Sequence, residues 1–220
     1  DHHGYISRVK AAIDAMGYDS KKLTVLLVQF VSLWRGGEMV QMSSRSGQFV
    51  TLRDLRKEVG NDAARFYYVM RKSEQHIDFD LDLAVSQSKD NAVYYIQYAH
   101  ARVNSILNRA KEKGITFDVA SARQVANLLV LETETEILAK LAAYPEILIR
   151  AANVYEPHQI GNYLKDLAAL FHGWYAQDGV KFVDETNIPL SQARLLLSIN
   201  VQQVLRNGLE LLGVSAPEAM

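Results

Sequence analysis

The apolar residues from Thr51 almost to the end of the chain recur at spacings of three and four, the period of helices that bury one side. Pro145, Pro157 and Pro189 stand near proposed helix starts, where proline is tolerated. We therefore expect a mainly α chain whose C-terminal part is a helical bundle. The predicted helices cover 52–59, 62–71, 82–90, 91–112, 118–130, 133–142, 145–154, 157–177 and 190–212.

The first 48 residues have a different pattern, typical of alternating α and β structure. Ser7 is placed to cap a helix that ends near Gly17, and 23–30 is an apolar run typical of a central strand in a parallel sheet. Gly36-Gly37 predicts a turn after which 39–41 pairs back as a short strand. These patterns predict three parts. They are a truncated α/β (Rossmann-type) remnant at 1–48, a connecting helical region at 49–90 and a helical bundle at 91–220.

Composition excludes several kinds of site and argues against a location in the membrane. The chain has no cysteine, which excludes disulfides and thiolate metal sites, and its six histidines have no metal-ligand spacing. No apolar run approaches the roughly 18 residues of a membrane span. We therefore expect a cytoplasmic protein without a membrane partner or a protein-ligated metal. The formal net charge of −1 does not by itself indicate nucleic-acid binding.

The segment 41–52 gathers groups that suit a nucleotide's phosphates. Ser43, Ser44 and Ser46 offer hydroxyl donors, and Arg45 is the cation among them, directly before a predicted helix start at Thr51. Charge-assisted hydrogen bonds are about twice as strong as neutral ones, so Arg45 is the strongest donor in the segment. An ordinary polar hairpin tip is the alternative interpretation.

The same segment resembles the signature loop of class I aminoacyl-tRNA synthetases, usually Lys-Met-Ser-Lys, with Gln41 and Ser44 in place of the two lysines. Other stretches are similar to arginyl-tRNA synthetases. They are 1–12 in the catalytic domain, 62–65 (Asp-Ala-Ala-Arg, the motif that names the anticodon-binding domain), 94–102 in that domain's first long helix, and the tail 204–220. The family resemblance thus covers nearly the whole chain.

The resemblance implies roles for individual residues. Ser43, Ser44 and Arg45 would be catalytic, and Asp1, His2, Met42 and Ser46 would bind the nucleotide, ATP, which is a substrate accompanied by Mg²⁺. Met220 would end a tail that packs beside the anticodon loop.

A helical wheel adds Tyr94 and Tyr98 to the candidate tRNA-binding residues. At about 100° per residue they lie nearly opposite the apolar stripe of 91–112, where exposed rings suit stacking of unpaired bases. Packing against a second helix is the alternative for both tyrosines. The wheel places Tyr163 and Trp174 in the core, and Asn200 is interpreted as a buried amide.

The function implied is that of an arginine–tRNA ligase, with tRNA(Arg), ATP and arginine as partners of a monomeric enzyme. The family's first nucleotide signature, of His-Ile-Gly-His type, is missing, so the chain is expected to be a C-terminal part that is inactive alone. Two alternatives stay open. One is a cysteinyl-tRNA synthetase-like enzyme, which the absence of cysteine and the 1–12 stretch disfavour. The other is a free-standing tRNA-binding or helical interaction module.

Overall fold

The computed structural model describes residues 2–42 and 50–220. In this part the chain is predominantly helical with one small sheet, as expected. None of the helices in the described ranges has the length and apolarity to cross a membrane. The helices are α1 (Ile6–Ala15), α2 (Leu52–Val59), α3 (Asn61–Val69), α4 (Leu81–Val85), α5 (Ala92–Glu112), α6 (Val119–Gln124), α7 (Glu132–Ala142), α8 (Tyr144–Asn153), α9 (His158–Tyr175) and α10 (Ile188–Leu211). The strands are β1 (Val31–Arg35), β2 (Glu38–Met39) and β3 (Ile77–Asp80).

The sheet has the order β2-β1-β3. The β1–β2 pair is antiparallel and turns through Gly36 and Gly37, at the predicted place. Their φ angles of 60° and 78° are positive, a conformation that favours glycine. The β1–β3 pair is parallel, with Val31 opposite Ile77. The predicted turn and the return of the chain onto β1 are confirmed, although β2 is Glu38–Met39 and not 39–41. The strand β3 was not predicted.

The prediction of a central strand at 23–30 is wrong. This segment has no ladder, and Val28 and Phe30 are 77% and 85% exposed. The strand begins only at Val31, where β3 offers a partner for the backbone groups. The predicted cap at Ser7 is also wrong, because α1 already begins at Ile6.

The segment that follows the signature loop is fixed by a helix cap. The Thr51 hydroxyl accepts a hydrogen bond from the Asp54 amide at 3.1 Å, and the Asp54 carboxylate accepts from the Thr51 amide at 3.3 Å. This capping box confirms the predicted start of α2. Gly60, with φ 82°, then turns the chain directly into α3.

The core of the bundle lies between α5, α9 and α10. Trp174 and Tyr163 are buried there, as predicted. The interpretation of Asn200 as a buried amide is wrong: it is exposed, and its Nδ2 donates to the Leu196 carbonyl at 2.8 Å. The buried stripe of α10 runs through Leu197, Val201 and Leu205 instead.

Candidate nucleic-acid interface

One face of α5 carries planar side chains four residues apart. Tyr94 and Tyr98 stack with their ring centroids 6.0 Å apart and their planes 10° from parallel. The next residue on this face, Arg102, places its guanidinium carbon 4.4 Å from the centre of the Tyr98 ring. Residues four apart lie one above another on a helix, which explains the order. Tyr98 is 37% exposed, so the stack borders solvent.

Helix α9 adds a further tyrosine to this stack. The centre of the Tyr175 ring lies 4.3 Å from the guanidinium carbon of Arg102, which therefore contacts two tyrosine rings. We call Tyr94, Tyr98, Arg102 and Tyr175 the stacked row. No carboxylate forms an ion pair with Arg102 within the described ranges, so the positive charge of the stacked row is not neutralised locally.

His172 of α9 fixes the orientation of Arg102. Its Nδ1 accepts a hydrogen bond from Arg102 Nη1 at 2.9 Å, while its Nε2 donates to the Tyr95 carbonyl at 3.1 Å. Both contacts together require the neutral ring with the proton on Nε2. Burial lowers the pKa of His172, and the charge of Arg102 lowers it further, although the Tyr95 contact acts in the opposite direction.

A groove of about 460 Å³ lies beside the Tyr94 end of the stacked row. Its lining includes Tyr94 and the polar residues Asn61, Gln87 and Gln97. A flat ring next to amide donors and acceptors is the combination that stacks on a base and bonds to its edge.

The C-terminal tail runs along the neighbouring face of α5. His100 Nδ1 donates to the Pro217 carbonyl at 2.8 Å, and Asn104 Nδ2 donates to the Glu218 carbonyl at 3.0 Å. Gln202 of α10 donates to the Asn104 side-chain oxygen at 2.9 Å, which turns the amide nitrogen of Asn104 toward the tail. Met220 follows at the surface, 51% exposed. The tail and the stacked row are thus carried by the same helix.

The family model described as "DALR anticodon binding domain" matches residues 96–220, which is more than half of the chain. The chain belongs to the DALR anticodon-binding domain family. The match includes Tyr98, Arg102, His172 and the whole tail, while the predicted boundary at residue 91 stays a prediction.

Relatives of this DALR chain are known over its full length. An arginine–tRNA ligase of Acinetobacter baumannii is 81% identical over all 220 residues, and one of a Psychrobacter species is 61% identical. The chain spans 36% and 37% of the length of these relatives. A crystal structure of a putative arginyl-tRNA synthetase from Campylobacter jejuni matches the whole chain, 46% of its own, with a TM-score of 0.85 and 32% identity. The Thermus thermophilus arginyl-tRNA synthetase matches 98% of the chain and 39% of its own, with a TM-score of 0.70 and 27% identity.

Most of the residues predicted for the nucleotide site lie outside the described part of the DALR chain: Asp1, Ser43, Ser44, Arg45 and Ser46. His2 and Met42 are described, and both are exposed. No hydrogen bond or ring contact joins His2 to Met42 in the described residues, so their role at a nucleotide stays a prediction.

Three residues of the candidate interface were not selected from the sequence: Arg102, His172 and Tyr175. The spacing Tyr94, Tyr98, Arg102 is a signal that could have identified the arginine, because a third residue four positions on lies on the same face. His172 and Tyr175 had no such signal, since they meet Arg102 only through the packing of α9 on α5.

Proposed function

We propose that this chain is part of an arginine–tRNA ligase and binds the anticodon arm of tRNA(Arg). The observation that carries the proposal is the 81% identity to the Acinetobacter baumannii arginine–tRNA ligase over all 220 residues. This identity favours the arginine enzyme over the cysteinyl alternative and over a free-standing module. We also propose that the enzyme is monomeric and cytoplasmic.

The geometry of the stacked row supports binding of unpaired bases. Tyr94 and Tyr98 offer flat rings, and the guanidinium of Arg102 offers a planar cation with donors at its edge. The groove beside Tyr94 adds amides that can bond to the edge of one base. Bases of an anticodon loop are unpaired, so they are free to enter such a site, whereas bases in a duplex are stacked and paired.

ATP and arginine would react elsewhere in the longer enzyme, with the signature loop of this chain closing over the triphosphate. Activation is nucleotidyl transfer at the α-phosphorus, which needs positioned donors and positive charge. Ser43, Ser44 and Ser46 would donate hydrogen bonds, Arg45 would supply charge, and Asp1, His2 and Met42 would contact the nucleotide. Mg²⁺ bound with the ATP would neutralise the leaving pyrophosphate. The capping box at Thr51 gives the loop a fixed end on α2.

A competition experiment tests the proposed anticodon binding. The 220-residue chain is titrated into a fluorescent anticodon stem-loop of tRNA(Arg) at one fixed salt concentration, because phosphate contacts make affinity salt-dependent. Unlabelled tRNA(Arg) should displace the probe, and the same tRNA with its anticodon replaced should displace it at least tenfold less well. Equal displacement by both would refute anticodon recognition by this chain.

A further inference from the structure

We propose that Asp62 and Arg65 are positioning residues, which hold the start of the C-terminal tail so that its last residues lie beside the bound tRNA. The proposal rests on the proposed function, since its consequence is a change in tRNA affinity. Both residues lie on α3, before the start of the family match at residue 96. Their contacts with the tail would give the 62–65 motif on α3 a role in the tRNA-binding unit.

Asp62 joins α3 to both α5 and the tail. Its carboxylate accepts a hydrogen bond from Gln97 Nε2 at 2.9 Å and another from the Ser215 hydroxyl. Gln97 Nε2 also donates to the Ser215 carbonyl at 2.9 Å. Ser215 is therefore bonded through both its side chain and its backbone, and hydrogen bonds to a charged acceptor are the stronger kind.

Arg65 holds the position where the tail leaves α10. Its Nε donates to the Leu212 carbonyl, one of the last carbonyls of the helix, which lack partners inside it. Gly213 follows with φ 69°, a conformation that glycine adopts without strain. A Cβ added to Gly213 would collide with the guanidinium of Arg65, so the close approach depends on glycine as well.

These two contacts determine where the rest of the tail can go. From Ser215 the chain needs only two residues to reach Pro217, whose carbonyl accepts from His100, and one more to reach Glu218 on Asn104. The helix that receives these carbonyls, α5, also carries the stacked row. Release of the tail at Leu212 and Ser215 would leave its end free to move away from this face.

The test uses the 220-residue chain with Arg65→Ala and, separately, Asp62→Ala. The matched control is Arg123→Ala, an exposed arginine on α6 whose side chain makes no hydrogen bond or ion pair in the described residues. Amide hydrogen exchange of residues 209–220 measures tail release without tRNA, and titration with tRNA(Arg) measures affinity. We expect each variant to raise the exchange rate about tenfold and to weaken tRNA binding about tenfold, as deletion of residues 215–220 should. The control should change neither.

Arg65→Lys separates positioning from a general structural role, because one ammonium donor can still bond to the Leu212 carbonyl. It should restore most of the exchange protection and the tRNA affinity. Unchanged exchange in the alanine variants, or a released tail with unchanged tRNA affinity, would overturn the proposal. Loss of the folded state in both alanine variants would overturn it too, because these contacts would then hold the fold. If the unmodified chain does not bind tRNA(Arg), the proposed function fails instead, and the exchange result still shows whether the residues hold the tail.

Discussion

At the scale of single residues, Arg102 is the most constrained side chain of the candidate interface. Its guanidinium carbon lies 4.4 Å from the centre of the Tyr98 ring and 4.3 Å from the centre of the Tyr175 ring, and His172 Nδ1 accepts a hydrogen bond from its Nη1. A cation beside an aromatic ring gains about 0.5–2 kcal/mol per ring, depending on solvation. The guanidinium is therefore held in one plane before a ligand arrives, which reduces the entropy lost on binding.

The first prediction concerns the shape of this cation. Arg102→Lys keeps the charge but loses the plane and the bond to His172, so tRNA(Arg) binding should weaken about three- to tenfold in a filter or fluorescence titration. The matched control is Arg109→Lys, an exposed arginine on the same face of α5. Equal affinities of the two variants would show that only the charge of Arg102 matters.

The second prediction concerns acid pH. Burial lowers the pKa of both His172 and His100 in the folded chain below the roughly 6.5 of an unfolded histidine. At pH values between the lowered pKa of the folded chain and the pKa of the unfolded chain, the unfolded state binds more protons. The contribution of these histidines to the free energy of unfolding is therefore largest above about pH 6.5 and falls as the pH drops below it. Denaturant melts from pH 7.5 to 5 should show this loss. His172→Gln should make the loss smaller; a slope identical to that of the unmodified chain would be inconsistent with a lowered pKa.

At the scale of elements, helix packing depends on one glycine in α10. A Cβ added to Gly208 would lie 2.5 Å from the Leu164 side chain, which is fully buried in α9. The two helices therefore approach closely at this point. By contrast, a Cβ added to Gly173, on the exposed side of α9, meets nothing within 4 Å.

The third prediction compares these two glycines. Gly208→Ala should lower the free energy of unfolding by about 1–2 kcal/mol, since overpacking costs about 1–3 kcal/mol and the gain in helix propensity offsets part of it. Gly173→Ala should raise it by about 0.5–1 kcal/mol, because only the propensity changes. Thermal or urea melts measure both. Stabilisation by Gly208→Ala would mean that α9 and α10 can move apart without loss.

The elements differ in how far the sequence alone predicts them. The start of α2 could be predicted because the side chains of Thr51 and Asp54 bond to backbone amides only three residues away, and its end because Gly60 adopts a positive φ. The apolar run 23–30 was assigned to a strand because its composition indicates burial, but composition does not say which partner buries it. In the described structure the run is largely exposed and β1 starts after it.

The candidate site shows the same limit over longer distances. Tyr94 and Tyr98 could be chosen from one helix wheel because their contact is local. The contact between Arg102 and His172 joins residues 70 positions apart, and the bond between Arg65 and Leu212 joins residues 147 apart. Such pairs depend on the packing of whole helices, for which one sequence has no local signal.

At the scale of the whole molecule, the chain has the length of about 36% of its arginine–tRNA ligase relatives. The fourth prediction is that the isolated 220-residue chain binds tRNA(Arg) but does not activate arginine. The expected reason is that the first nucleotide signature and most arginine-binding residues are absent from these 220 residues. Arginine-dependent exchange between pyrophosphate and ATP by the purified chain would contradict this.

The central claim is that the stacked row binds bases of tRNA(Arg), and its most direct test is the dissociation constant of the tyrosine variants. Stacking on an aromatic ring is worth about 1–3 kcal/mol per base, so Tyr94→Ala or Tyr98→Ala should raise the dissociation constant roughly tenfold or more. Tyr18→Ala, which removes a 70% exposed tyrosine outside the stacked row, is the matched control. Deletion of Met220 should act in the same direction, more weakly.

A thermal melt of each variant accompanies the titration. The account predicts weaker tRNA binding with a melting temperature lowered by no more than a few degrees, since Tyr98 also contacts Arg102 and His172. Unchanged affinity with a lowered melting temperature would assign both tyrosines to helix packing and contradict it.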